Sequence, residues 1–112
     1  INNKSLIFIP DIDKWEKWET NITELIKKVD YAFLDATFYK NGELKRDMSE
    51  IPHPFVQESM ELFSELSEKD KQKVHFIHFN HTNPLLQEGS TAQEEVFEKG
   101  FNLAKEGQII RF

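Results

Sequence analysis

Three short apolar runs, at residues 6–9, 31–36 and 74–79, are separated by stretches in which apolar residues recur every three or four positions. This alternation constrains the fold more than any other feature. Short continuous runs bounded by Pro, Asp, Asn or Gly read as strands buried on both faces, and the 3.6-residue period reads as amphipathic helix. The first run, Leu6, Ile7, Phe8 and Ile9, stops at Pro10-Asp11. Trp15, Trp18, Ile22, Leu25, Ile26 and Val29 then make one core-facing stripe, a predicted helix that Thr20-Asn21 can split by offering a fresh N-cap. The second run carries Asp35 near its end and leads into a turn at Tyr39-Lys40-Asn41-Gly42-Glu43, where Asn-Gly tolerates positive φ.

From Pro54, the spacing of Phe55, Val56, Met60, Leu62, Phe63 and Leu66 predicts a second helix that ends in the charged stretch 68–73. The third run, 74–79, is a predicted strand that contains His78. Ser90 or Thr91 caps a third helix through about Glu98, with Gln93 or Glu94 placed for a capping box and Gly100 ending it. In residues 101–112, Phe101 and Leu103, then Ile110 and Phe112, alternate with polar neighbours around Glu106-Gly107, which predicts a hairpin. The order β-α-β-α-β-α-β-β gives an α/β fold with a mixed sheet, mostly parallel, the hairpin adding an antiparallel edge.

At 112 residues, 38% of them hydrophobic and ten of them Phe, the chain has material for one core, so 1–112 is expected to be a single domain. It opens on Ile1 and reaches its first strand within about five residues, as a piece of a longer protein would. A net charge of −6 argues against nucleic acid or an anionic membrane as partner. No cysteine is present, which rules out disulfides and thiolate metal sites and fits a cytoplasmic location. No apolar run approaches the roughly 18 residues of a membrane span.

In parallel sheets functional groups gather beyond the carboxyl ends of the strands. Asp35 and His78 both fall there. Asp35 either caps the following turn through an Asx hydrogen bond or ligates a metal, because a carboxylate among Phe33, Leu34 and Phe38 is costly to desolvate unless a cation or several donors meet it. His78 is either a hydrogen-bonded core residue or a ligand. At the ends of neighbouring strands, an Asp and a His are close enough to share a divalent ion. A hydrolytic centre needs at least three protein ligands and an open position, so either the pair is structural or its other ligands lie outside this chain. His53, between Pro52 and Pro54, is an exposed loop residue, or else a general acid or substrate-orienting group. Asn80, Thr82 and Asn83 either satisfy their own loop or buttress His78, and His75 and His81 are structural or exposed.

Asp35-Ala36-Thr37-Phe38, then His53 before a helix, then Ile77-His78-Phe79-Asn80-His81-Thr82-Asn83-Pro84, stand in an order that resembles the C-terminal half of a metallo-β-lactamase-fold protein, most of all the coenzyme PQQ synthesis protein B family. The last of these stretches is the most specific, and the likeness runs from Phe8-Ile9-Pro10-Asp11 nearly to the end of the chain. The resemblance implies half of an αββα sandwich and a metal-dependent hydrolase. It implies that Asp35 bridges two metal ions, that His78 ligates one of them, and that His53 lies near the substrate and moves protons. The ion implied is divalent, zinc before manganese or iron, held weakly or not at all by this chain alone. The His-x-His-x-Asp-His loop that supplies most ligands in the family belongs to the N-terminal half and is absent here, which makes that half the expected partner and leaves the isolated chain inactive. A small-molecule substrate for the parent protein is expected too. Two other readings stay open: a non-catalytic α/β interaction module in which Asp35 and His78 are structural, and a homo-oligomer that buries the face the absent half would cover.

Overall fold

Strands β1 (Leu6–Ile9), β2 (Tyr31–Asp35), β3 (Val74–Ile77) and β4 (Asn102–Leu103) form one sheet in the order β1-β2-β3-β4, and every neighbouring pair is parallel. Helices α1 (Ile22–Lys28), α2 (Val56–Leu62), α3 (Glu68–Lys71) and α4 (Thr91–Glu98) occupy the crossovers. The structure is a computed structural model and describes residues 4–44, 47–48 and 50–104. Parallel strands laid down in chain order need crossovers of one hand, and such crossovers all land on the same face of the sheet.

The side chains obey that rule. Ala32, Leu34, Val74, Phe76 and Leu103 point into the core built with Ile22, Ile26, Val56, Met60, Phe63 and Val96 from the helices. On the opposite face Leu6 and Phe8 of β1 are 44% and 64% exposed. The expectation that the first run is buried on both faces is therefore corrected: β1 is an edge strand with only one face covered. The register aligns Phe8, Phe33, His75 and Asn102 across the open face, and the Phe33 and His75 rings stack at 5.2 Å.

Local chemistry sets the helix boundaries. The Asn21 side chain accepts the Thr23 and Glu24 N–H groups at 3.1 and 3.4 Å, so α1 starts there, and residues Trp15–Lys17 make a separate 3-10 turn. The tryptophan stripe is thus divided at the fresh N-cap that Asn21 offered. The charged stretch after Leu66 does not trail off but forms α3, because Ser67 Oγ accepts the Asp70 N–H at 3.1 Å. Ser90 caps α4 by accepting from Gln93 N–H at 3.1 Å. The Gln93 side chain does not close a capping box; it spans the Gly89 N–H and the Leu85 carbonyl. Gly100, at φ 94, ends the helix in the left-handed region that a side chain disfavours.

The third strand stops at Ile77, two residues short of its expected end, and the next residue, His78, has φ 68. Of the expected hairpin only β4 lies among the described residues, paired parallel to β3; residues 105–112 lie outside them. Among the described residues no helix is long and apolar enough to cross a membrane.

Phe63 is fully buried, so Phe63→Ala should cost about 3–5 kcal/mol in urea unfolding, whereas Phe8→Ala on the open face should cost less than about 1 kcal/mol. Among the described residues His75 Nδ1 is buried without a hydrogen-bond partner, and desolvation holds its pKa below the usual histidine value. The unfolded chain therefore binds the proton first. The His75 contribution is intact above about pH 6.5 and is lost as the pH falls below it. His75→Leu should narrow the stability gap between pH 8 and pH 5, read by denaturation at both.

Candidate metal centre

Asp35 closes β2 and is fully buried, yet its carboxylate meets a donor on every side. Oδ1 accepts from the Thr37 N–H at 2.8 Å and the Thr37 hydroxyl at 2.7 Å. Oδ2 accepts from the Ile12 N–H at 3.0 Å and lies 2.7 Å from His53 Nδ1. The bond to Thr37 N–H is the Asx turn that a strand-end Asp favours. The remaining partners come from elsewhere in the chain, which is how a buried carboxylate is kept from being costly.

Each partner is delivered by the fold. The parallel register pairs Ile9 with Leu34, so the Pro10-Asp11-Ile12 loop beyond β1 runs beside Asp35. His53 enters from the long β2–α2 connection. There the Phe38–Phe55 bridge, with Val56 N–H donating to Phe38 O at 3.0 Å, brings the loop back over the strand end. A second small core of Phe38, Met48, Ile51 and Phe55 lies beneath that connection. Its start is tied to α4 by the Tyr39 hydroxyl, which donates to Glu95. Burial and that bond push the Tyr39 pKa up to about 12, and the same bond pulls the Glu95 carboxyl below its ordinary range.

The His53 side chain is 18% exposed, so it is not the exposed loop histidine that two flanking prolines allowed. Asp11 Oδ1 lies 3.6 Å from His53 Nδ1, and one ligand atom from each of Asp11, Asp35 and His53 falls within 4.8 Å of the others. Asp11 was not among the residues that the sequence singled out. The only signal for it was its place just past a strand that pairs with β2.

His78 is the first residue beyond β3, and its ring is joined to Asp35 through one hydroxyl: Nδ1 lies 3.0 Å from Thr37 Oγ1. The two side chains thus stand on the same rim of the sheet. Asn80, Thr82 and Asn83 direct their hydrogen bonds to the surrounding loops. Asn80 donates to Thr82, and Thr82 to Glu43. Asn83 is buried; it donates to the Ala36 and Thr37 carbonyls at 2.7 and 3.3 Å and accepts from Leu85 N–H at 2.9 Å. On its far side His78 borders an apolar groove of about 740 Å³, lined by Phe79, Leu86, Phe97 and Leu103 among others.

No protein-family model matches the chain. It is similar to coenzyme PQQ synthesis protein B of Acinetobacter baylyi, 27% identical over 112 residues that make up 95% of this chain and 36% of the relative. The same protein of Gluconobacter oxydans is 25% identical, with 96% and 36% covered, and that of Methylococcus capsulatus is 25% identical, with 97% and 37% covered. Among solved structures, Zn2+-bound PqqB from Methylobacterium extorquens superposes with a TM-score of 0.70 at 19% identity, over 90% of this chain and 37% of that one. The chain spans little more than a third of the length of the relatives it matches, and the α/β fold with its parallel sheet agrees with that neighbour's.

Asn83→Ala should remove the pins on the end of β2, leaving the Ala36 carbonyl without its Asn83 donor while the Thr37 carbonyl keeps the Asn80 N–H, and cost about 1–3 kcal/mol in urea unfolding. A loss below about 0.5 kcal/mol would show that the Asn83 bonds do not hold the strand end.

Proposed function

We propose that this chain is the C-terminal part of a metal-dependent hydrolase of the metallo-β-lactamase type, like coenzyme PQQ synthesis protein B, to whose metal centre it contributes Asp35 and His78, with His53 acting on the substrate. The observation that carries this reading is a fully buried carboxylate at the end of a central strand, with two imidazoles and a second carboxylate gathered around it. Residues 1–112 would form one unit of a larger domain, the remainder supplying the other ligands and covering the open face that bears Leu6, Phe8 and Phe33.

The donor set suits a divalent ion. Carboxylate oxygen and imidazole nitrogen are ligands for zinc, manganese or iron, and Asp11 adds a third ligand atom near Asp35 and His53. When bound, such an ion supplies Lewis acidity and lowers the pKa of water. The residues of this chain would do the rest. Asp35 is held by Ile12 and Thr37 and so has no freedom to turn away from the rim. His53, with one ring nitrogen on Asp35, can give or take a proton at the other. The apolar groove past His78 gives room for the body of a small-molecule substrate. The name of the relatives supports a place for the intact protein in coenzyme PQQ synthesis.

A second reading has one specific observation in its favour. Asp35 is already satisfied by its protein donors without any cation, as a structural carboxylate in a non-catalytic interaction module would be. Calorimetric titration of Zn2+ into the 112-residue chain separates the two. The metal reading expects binding no tighter than about 1 μM, or about −8 kcal/mol, lost in Asp35→Asn and weakened in His78→Ala. Binding tighter than about 1 μM would contradict an incomplete site, and binding indifferent to both substitutions would leave the module reading standing.

A further inference from the structure

Thr37 Oγ1 has one proton to give and two partners to serve, Asp35 Oδ1 at 2.7 Å and His78 Nδ1 at 3.0 Å. A carboxylate only accepts, so the hydroxyl proton goes to Asp35. The contact with His78 is then a hydrogen bond only if Nδ1 carries a hydrogen and donates it to Thr37. The same reasoning applies to His53, whose Nδ1 sits 2.7 Å from Asp35 Oδ2 and must donate. Thr37 Oγ1 also lies 3.4 Å from His53 Nδ1, a longer contact that adds little once that proton is committed to Asp35.

We propose, on the metal-site reading above, that Thr37 is a positioning residue: the chain Asp35–Thr37–His78 holds His78 as its Nδ1–H tautomer and turns the Nε2 lone pair outward, where a divalent ion can take it. Geometry makes Thr37 suited to this. It is buried, and its own N–H donates to the carboxylate oxygen that its hydroxyl serves, so the hydroxyl cannot swing. Two backbone bonds straddle His78 and press it against Thr37: Ala36 N–H donates to the Ile77 carbonyl at 2.7 Å, and Asn80 N–H to the Thr37 carbonyl at 2.9 Å. The left-handed φ of 68 at His78 is the backbone turn that lets the ring fold back onto the hydroxyl. A ligand imidazole ordinarily donates its other ring N–H to a fixed acceptor, which sets both its tautomer and its direction. Here a threonine hydroxyl is that acceptor, and it relays the same carboxylate that would ligate the ion.

The test is the 15N spectrum of the imidazoles in the metal-free chain at about pH 8, where an ordinary histidine is neutral. Wild type and Thr37→Ser should show His78 Nδ1 as the protonated nitrogen and Nε2 as the bare one. Thr37→Val keeps the shape and loses the hydroxyl, and should shift His78 toward the Nε2–H form that a free imidazole favours. Zn2+ affinity should fall about 10- to 100-fold in Thr37→Val and return in Thr37→Ser. A His78 that carries its proton on Nε2 in the wild type overturns the proposal, whether or not the valine variant folds, and so does a tautomer unchanged in a folded Thr37→Val. If zinc binds none of the three proteins, the spectrum alone decides the role of Thr37.

Discussion

A carboxylate can be buried at the end of a strand only if its oxygens are met, and the arrangement of donors around Asp35 is the constraint on which the rest of the rim depends. Those donors come from three separate parts of the chain. Ile12 reaches Asp35 because β1 pairs in parallel with β2, Thr37 because the chain turns at once, and His53 because the Phe38–Phe55 bridge returns the long connection to the sheet. His78 is joined at second hand, through Thr37. A single buried negative charge thus organises loops from the ends of β1, β2 and β3 into one cluster, and the chemistry proposed for the chain uses the same cluster.

The two faces of the sheet tell different stories. The helix-covered face is packed as an ordinary core, with Leu34, Val74, Phe76, Phe63 and Val96 buried. The other face presents Phe8 and Leu6 to solvent and buries one imidazole nitrogen, His75 Nδ1, that finds no partner among the described residues. An open aromatic face of that kind is what a second layer would cover, and relatives nearly three times as long have the chain to build one.

The strands and the parallel arrangement were legible in the sequence because short apolar runs and 3.6-residue stripes carry that information directly. That Asp35 and His78 stand on one rim was legible too, since Asp35 closes one strand and His78 follows its neighbour, but not that Thr37 lies between them. Exposure of β1 was not legible: Leu6-Ile7-Phe8-Ile9 reads the same whether one face or two are covered, and coverage depends on the hand of the crossovers. Nor was Asp11, whose approach to His53 follows from strand register and not from any local pattern. His78 looked like part of a strand because Phe76, Ile77 and Phe79 surround it. Its positive φ arises from tertiary bonds on either side, which no local propensity reports.

The central claim is that the Asp35 rim is a cation site and not merely a satisfied turn. Anomalous scattering from crystals of the chain grown with Zn2+ tests it most directly. The account predicts a peak about 2.0–2.2 Å from an Asp35 carboxylate oxygen and from an imidazole nitrogen of His78. Zinc found only on surface carboxylates, with Asp35 still bonded to Ile12, Thr37 and His53 as described, would contradict it.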